Sequence, residues 1–516
     1  MRFERTRNAT NTFIFGLIGR LVMTIGPFIT RTTIIYVLGA EYAGLSGLFT
    51  SVLSVLNISE LGIGAAAAFC MYEPVAKDDK NTICALLAMI RKLYYIVGGV
   101  ILAGGLALMP LLRYLIKGNV PVDINIYWLY FLYLLNSAVS YLGFAYKELL
   151  FQAYQRGDVL HRLLIWTNAI KYIAQVIALI FLKSYYAFVA ILLLCDIFYT
   201  IFVGIRSKKV FPQIVPMGNL SSDVRKKFWS KVAFLSVHSV SSKLVNSADN
   251  IVLSAFSGLT AITLYGNYNY LTGSILSIIL IAYSSIAPAV GNVLCTESKD
   301  KLLEIFNSLW LGCTWITVFC TTCFFCLFQP FISTIWLRSE AYLLPMGTVI
   351  IICFYFFANA INQFLTTTYI NPAGLWNKTL LRQILAPTIN LFLDIILVAK
   401  FGVGGVVFAS LVASAGISLP YDIVVVYRYI LKEKAVNGFI KLGKCIIVLV
   451  TTVLVSWPLC HVLSEKGIAG FFLQGIVCLV LPNFVIYCVY RRTEEFAFIK
   501  DHLLTMCKKM CKRSTK

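Results

Sequence analysis

Six of the chain's forty-four lysines and arginines lie within or at the edge of long apolar stretches: Arg20, Arg31, Arg91, Lys92, Lys171 and Lys243. A cation at mid-span costs about 2.5–3.5 kcal/mol on insertion scales, so each needs an internal partner, a route to the membrane surface or an anion from outside the chain. Arg20 and Arg31 are eleven residues apart; at about 100° per residue they share one helix face, about 16 Å from each other. Ser236, Ser239, Lys243, Asn246, Asn250 and Ser254 recur at intervals of three and four, which makes one polar face that must look at protein or water rather than lipid. Such stripes suit anion binding. Proton or cation traffic would need carboxylates, and Glu60, Asp196, Asp249, Asp394 and Asp422 are placed for it.

Residues equally far from a tight turn lie at similar depth on antiparallel helices. Arg20 and Glu60 are equidistant from Gly39-Ala40, and Lys171 and Asp196 from Lys183-Ser184. Both are expected to form buried ion pairs, with a proton-coupled or ligand role as the secondary reading. The depth-matched positions for Arg31 and Lys243 are Leu48 and Ser274, which carry no charge. These two cations are therefore expected to meet an external anion, with snorkelling to a membrane surface as the alternative. Arg91 and Lys92, at a helix end, are expected to snorkel. Asp422, toward the end of its stretch, is expected to be solvated.

The elements that must carry these groups follow from composition. Of 516 residues, 59% are hydrophobic and only 13% charged, with mean hydropathy +0.82, which excludes a soluble globular fold. Fourteen apolar stretches of span length are predicted, near 12–37, 43–69, 90–112, 125–149, 161–182, 186–205, 232–256, 261–290, 303–328, 346–369, 379–399, 403–427, 442–463 and 468–490. With both termini inside, alternation assigns 32 Lys/Arg to inner segments and 6 to outer loops, the positive-inside pattern. The net charge of +21 is then topology and not a nucleic-acid footprint. Sliding the chain by 219 residues pairs Gly39 with Gly258, Gly47 with Gly266, Phe49 with Tyr268 and Lys80 with Lys299. That predicts parallel six-helix repeats, 1–210 and 211–430, followed by two helices and a basic cytoplasmic tail in 431–516. Under this offset Arg31 and Lys243 occupy the same stripe in opposite halves, which predicts a shared cationic cleft.

Other motifs carry no chemistry by their context. Gly438 to Lys444 has phosphate-loop spacing, but Cys445 replaces the required Ser or Thr. Cys320, Cys323 and Cys326 spread around a helix with no histidine nearby, so no metal is expected. The four histidines are scattered, and neither a catalytic grouping nor a cofactor fingerprint emerges.

The stretch ITRTTIIYVLGAEYAGLSGLFTSVLSVLNISELGIGAAAAFCMYEPVAKDDK (Ile29 to Lys80) resembles the polysaccharide-transporter, or Wzx-type flippase, branch of the multidrug/oligosaccharidyl-lipid/polysaccharide exporter superfamily. NSADNIVLSAFSGLTAITLYGNYN (Asn246 to Asn269) is similar to the start of that family's second lobe. The resemblance implies an all-α polytopic membrane protein with two six-helix lobes and two added C-terminal helices. It further implies a bacterial cytoplasmic-membrane flippase that moves a polyprenyl-pyrophosphate-linked oligosaccharide for O-antigen, capsule or exopolysaccharide synthesis by alternating access. Its partners would be the lipid-linked glycan, membrane lipids, and the glycosyltransferases and polymerase of the pathway. Arg20, Arg31 and Lys243 would meet the pyrophosphate, and Asn246, Asn250, Asn267, Tyr268 and Asn269 the glycan. A small-molecule exporter of the same superfamily should show twelve spans and an acidic cleft. A membrane glycan polymerase or acyltransferase should show a sizeable outer loop or a His/Asp/Arg cluster.

Overall fold

The computed structural model describes residues 5–57, 62–118, 120–464, 467–498 and 500, and the side chains of 5–14, 17, 65 and 233–246 are not among those described. The described chain is helical, with no strand. In order it runs α1 (Arg5–Val37), α2 (Ala40–Leu56), α3 (Ile63–Ala76), α4 (Lys80–Leu108), α5 (Ile126–Leu142), α6 (Glu148–Ala153), α7 (Gly157–Leu182), α8 (Tyr185–Val210), α9 (Ser222–Ser257), α10 (Leu259–Thr296), α11 (Lys299–Pro330), α12 (Met346–Phe364), α13 (Leu380–Phe401), α14 (Val403–Leu411), α15 (Leu419–Val425), α16 (Ala435–Ser464) and α17 (Gly467–Tyr490).

Where they are described, the fourteen predicted stretches are largely helical. Among the described residues ten helices are long and apolar enough to cross a membrane, and an eleventh counts if the bent pair Ile126–Leu142 and Ala145–Ala153 is one span. The other three predicted stretches lie on α1, on α2 and α3, and on α9. In each of these three, residues or side chains lie outside those described, and α1 and α9 carry the charged and amide stripes. The protein is a multi-pass membrane protein. Its outward faces are apolar, as lipid requires, with Phe181 79% and Trp166 70% exposed.

Two compact units appear, Met1–Thr263 and Leu264–Lys516. In the first, Phe49 of α2 meets Tyr130 of α5 edge-on at 5.5 Å, and Leu45, Leu48 and Phe49 are fully buried. In the second, Phe306, Phe364, Tyr369, Leu365 and Ile423 lie in one apolar core. Polar residues set where helices begin. Asp79 accepts from the Thr82 amide at 3.1 Å to start α4, and Ser298 accepts from the Lys301 amide at 3.5 Å to start α11, each an N-cap.

The 219-residue offset reappears in the joints. Gly39 precedes α2 with φ 117° and ψ 170°, and Gly258 precedes α10 with φ 87° and ψ 177°. Both backbones need glycine. By the same step α2 begins at Ala40 and α10 at Leu259, while α4 begins at Lys80 and α11 at Lys299.

Candidate functional site

Within the first unit the charged groups of α7 and α8 meet. Lys171 Nζ lies 3.6 Å from Asp196 Oδ1, with side chains 12% and 32% exposed, so the depth match about Lys183-Ser184 places the pair as expected. They share a cavity of about 250 Å³ with Met23, Glu148, Thr167, Asn168 and Tyr199. The wall formed by α1 is brought close by Gly26: a Cβ there would fall 2.0 Å from Tyr172 Cδ2. The arrangement is a half-enclosed polar pocket with one lysine facing two carboxylates, able to hold a proton or a small polar group.

Arg31 Nη2 donates to the Thr263 carbonyl at 3.0 Å, and Thr263 Oγ1 donates to the Ala40 carbonyl at 2.6 Å. The guanidinium thus ties α1 to the joints that open α2 and α10. The partner is a main-chain carbonyl, a group with no net charge. Asn250 Nδ2 donates to Ser51 Oγ at 2.9 Å, which binds α9 to α2, and Asp249 beside it is buried at 6% exposure. Arg20 lies on an exposed turn of α1, with its carbonyl accepting from Thr24 Oγ1 at 2.9 Å. Glu60, its expected partner, lies outside the described residues, as do the side chains of Lys243 and Asn246. Lys117 donates to the Phe256 carbonyl at 2.7 Å near the end of α9, a favourable place for a cation.

In the second unit, Asn267 and Tyr268 are both 0% exposed. Tyr268 OH donates to Gln329 Oε1 at 3.1 Å and accepts from the Leu344 amide at 3.1 Å. Asn269, the next residue, is exposed.

The largest departure from expectation is Asp422. It is not solvated: its side chain is 0% exposed, and Oδ2 accepts from Arg382 Nη1 at 2.8 Å and from Thr366 Oγ1 at 2.9 Å. Arg382 also donates to Asn362 Oδ1 at 3.3 Å. Three π-helical segments frame the pair, Leu365–Ile370, which carries Thr366, and Val412–Ser418 and Val426–Leu431 on either side of Asp422. Such segments re-aim side chains and are frequent at functional sites. A signal existed: Arg382 and Asp422 are equidistant from Gly402, where α13 turns into α14. Counting Arg382 as a loop residue hid it. Near this pair is a cleft of about 620 Å³ that includes Lys378, Arg428, Tyr429, Leu381, Val424 and Phe439. The Lys378 ammonium stands 5.1 Å from the centre of the Tyr429 ring.

Outside the spans, ionic links join helix ends. Glu73 pairs with Lys77 at 2.9 Å and with Lys227 at 3.2 Å. Its hydrogen bond to Lys77, then that to Lys227, holds its carboxyl below the usual range. Glu433 meets Lys299 at 2.6 Å, and that hydrogen bond lowers the Glu433 carboxyl likewise.

No protein-family model matches the chain, and no curated protein matches it in sequence. Solved structures do match. A structure described as the lipid II flippase MurJ in an inward closed conformation superposes with TM-score 0.69 at 13% identity, over 93% of this chain and 99% of that one. An inward-facing multidrug resistance MATE family transporter of the MOP superfamily gives 0.58 at 14%, over 79% and 96%. A MOP superfamily transporter from Pyrococcus furiosus, described as having a binding pocket of reverse polarity, gives 0.54 at 14%, over 83% and 96%. These identities speak to architecture, and on that level the result is plain: this chain has the MurJ- and MATE-like fold of the MOP-superfamily transporters.

Proposed function

We propose that the protein is a flippase that carries a polyprenyl-pyrophosphate-linked oligosaccharide across the bacterial cytoplasmic membrane for surface polysaccharide synthesis. The observation that carries this reading is the extent of the match to the lipid II flippase, 93% of this chain at TM-score 0.69, against 79% at 0.58 for the multidrug transporter. The excess of lysine and arginine in alternate connections supports cytoplasmic termini. A pyrophosphate headgroup requires cations, and Arg20, Arg31 and Lys243 on α1 and α9 supply them. Arg31 then has two tasks, since the Thr263 carbonyl already orients it. Glycosyltransferases and a polymerase are the partners that such a transport step implies.

The test is glycan display in a host whose own flippase for the unit is deleted. Arg31→Ala or Lys243→Ala should abolish surface polysaccharide while the protein still inserts, and Lys400→Gln, at an exposed position, should leave display intact. Normal display in both cation variants would remove the site assignment. Failure of the wild-type chain to restore display, together with protection against a small cationic drug, would favour the exporter reading.

A further inference from the structure

Cys326 of α11, Cys460 of α16 and Cys478 of α17 come from three helices of the second unit, and their sulfurs all lie within 4.8 Å of one another. All three are buried, at 5%, 1% and 1% exposure. From this convergence we propose a trigonal Cu(I) site at Cys326, Cys460 and Cys478.

Metal–sulfur bonds of about 2.3 Å in a trigonal plane put the sulfurs about 4.0 Å apart, and Cys460 Sγ and Cys478 Sγ stand 3.9 Å apart. Sulfur ligands select soft ions, copper(I) among them. Among the described residues no histidine or carboxylate joins the group, so three ligands are what it offers. That number suits Cu(I), whereas structural Zn(II) takes four.

A second observation points to the same place. Gln474, one turn before Cys478, is 1% exposed and donates from Nε2 to the Cys460 carbonyl at 2.7 Å. Its Oε1 has no hydrogen-bond partner, and neither has Ser456 Oγ one turn before Cys460. Buried polar atoms without partners are uncommon in apolar cores. Here two of them flank the cluster on its own helices.

The experiment uses the full chain, purified with reductant under argon in lipid nanodiscs and titrated with Cu(I) against a chelator. One Cu(I) per chain should be retained, with three sulfur neighbours in X-ray absorption and a rise in the thermal midpoint, since a ligand bound only by the folded state stabilises it. Cys326→Ser and Cys478→Ser should lose the copper and the rise, while Cys195→Ser in the first unit should keep both. The proposal is overturned if the wild-type chain holds no Cu(I) or prefers Zn(II). It is also overturned if copper persists in the Cys326→Ser/Cys478→Ser double variant, or if Cys460 and Cys478 are found joined as a disulfide.

Discussion

Removing Asp422 tests whether the buried pair in the second unit is a structural keystone. Asp422→Leu takes away the carboxylate that accepts from Arg382 at 2.8 Å and from Thr366 at 2.9 Å. It leaves a guanidinium whose side chain is only 11% exposed, with Asn362 Oδ1 at 3.3 Å as a neutral acceptor. Deleting one partner of a buried pair costs about 3–5 kcal/mol, and Arg382 is too buried for solvent to relieve much of it. Arg382→Met should cost less, because an orphaned carboxylate can take up a proton and an orphaned guanidinium cannot release one. The double variant Arg382→Met/Asp422→Leu should regain most of the loss, since apolar replacements of buried pairs are often neutral or stabilising. The assay is the temperature at which half of the purified protein remains monodisperse. The expected order is wild type and double variant together, then Arg382→Met, then Asp422→Leu. The keystone reading fails if Asp422→Leu melts with the wild type, or if the double variant is as unstable as the weaker single one. Should the double variant fold and still abolish glycan display, the pair serves transport as well.

Gly26→Ala should destabilise by about 1–3 kcal/mol through overpacking, since the added carbon meets the Tyr172 ring; Tyr172→Leu in the same chain should recover part of the loss in the same thermal assay. Lys171→Met leaves Asp196 and Glu148 in one cavity without their cation, so it should lower yield and thermal stability more than Asp196→Asn, and equal losses would argue against the cavity as the cause. Glu433 has its carboxyl lowered by Lys299, so its contribution is present above the unfolded value near 4.5 and is lost as pH falls through the lower folded one. Any difference between wild type and Glu433→Gln should hold from pH 7 to 5 and shrink below about 4.5, which melting curves across that range would read directly.

Much of the architecture was legible because lipid imposes simple rules. Apolar length located the long helices, and the 219-residue offset anticipated joints at Gly39 and Gly258 that share one backbone conformation. Equal distance from a turn found Lys171 and Asp196, which meet at 3.6 Å. What escaped was of another kind. Arg31 is held by a main-chain carbonyl from 232 residues away, and carbonyls are the same at every position in a sequence. The three cysteines lie on α11, α16 and α17, and only helix packing brings them together. Arg382 and Asp422 satisfied the hairpin rule about Gly402, yet a boundary drawn a few residues off turned one into a loop residue and the other into a solvated one.

The π-helical turns on either side of Asp422 have a geometric corollary. Each inserts one residue, and one residue on a helix is worth about 100° of rotation, so a π turn works like a vernier that dials everything beyond it to a new azimuth. The carboxylate faces Arg382 because the insertion before it set that angle, and the insertion after it sets the azimuth of Tyr429 and Arg428 independently. Lengthening or shortening this helix by single residues is therefore a way to rotate one ionic group while leaving its neighbours' depth almost unchanged.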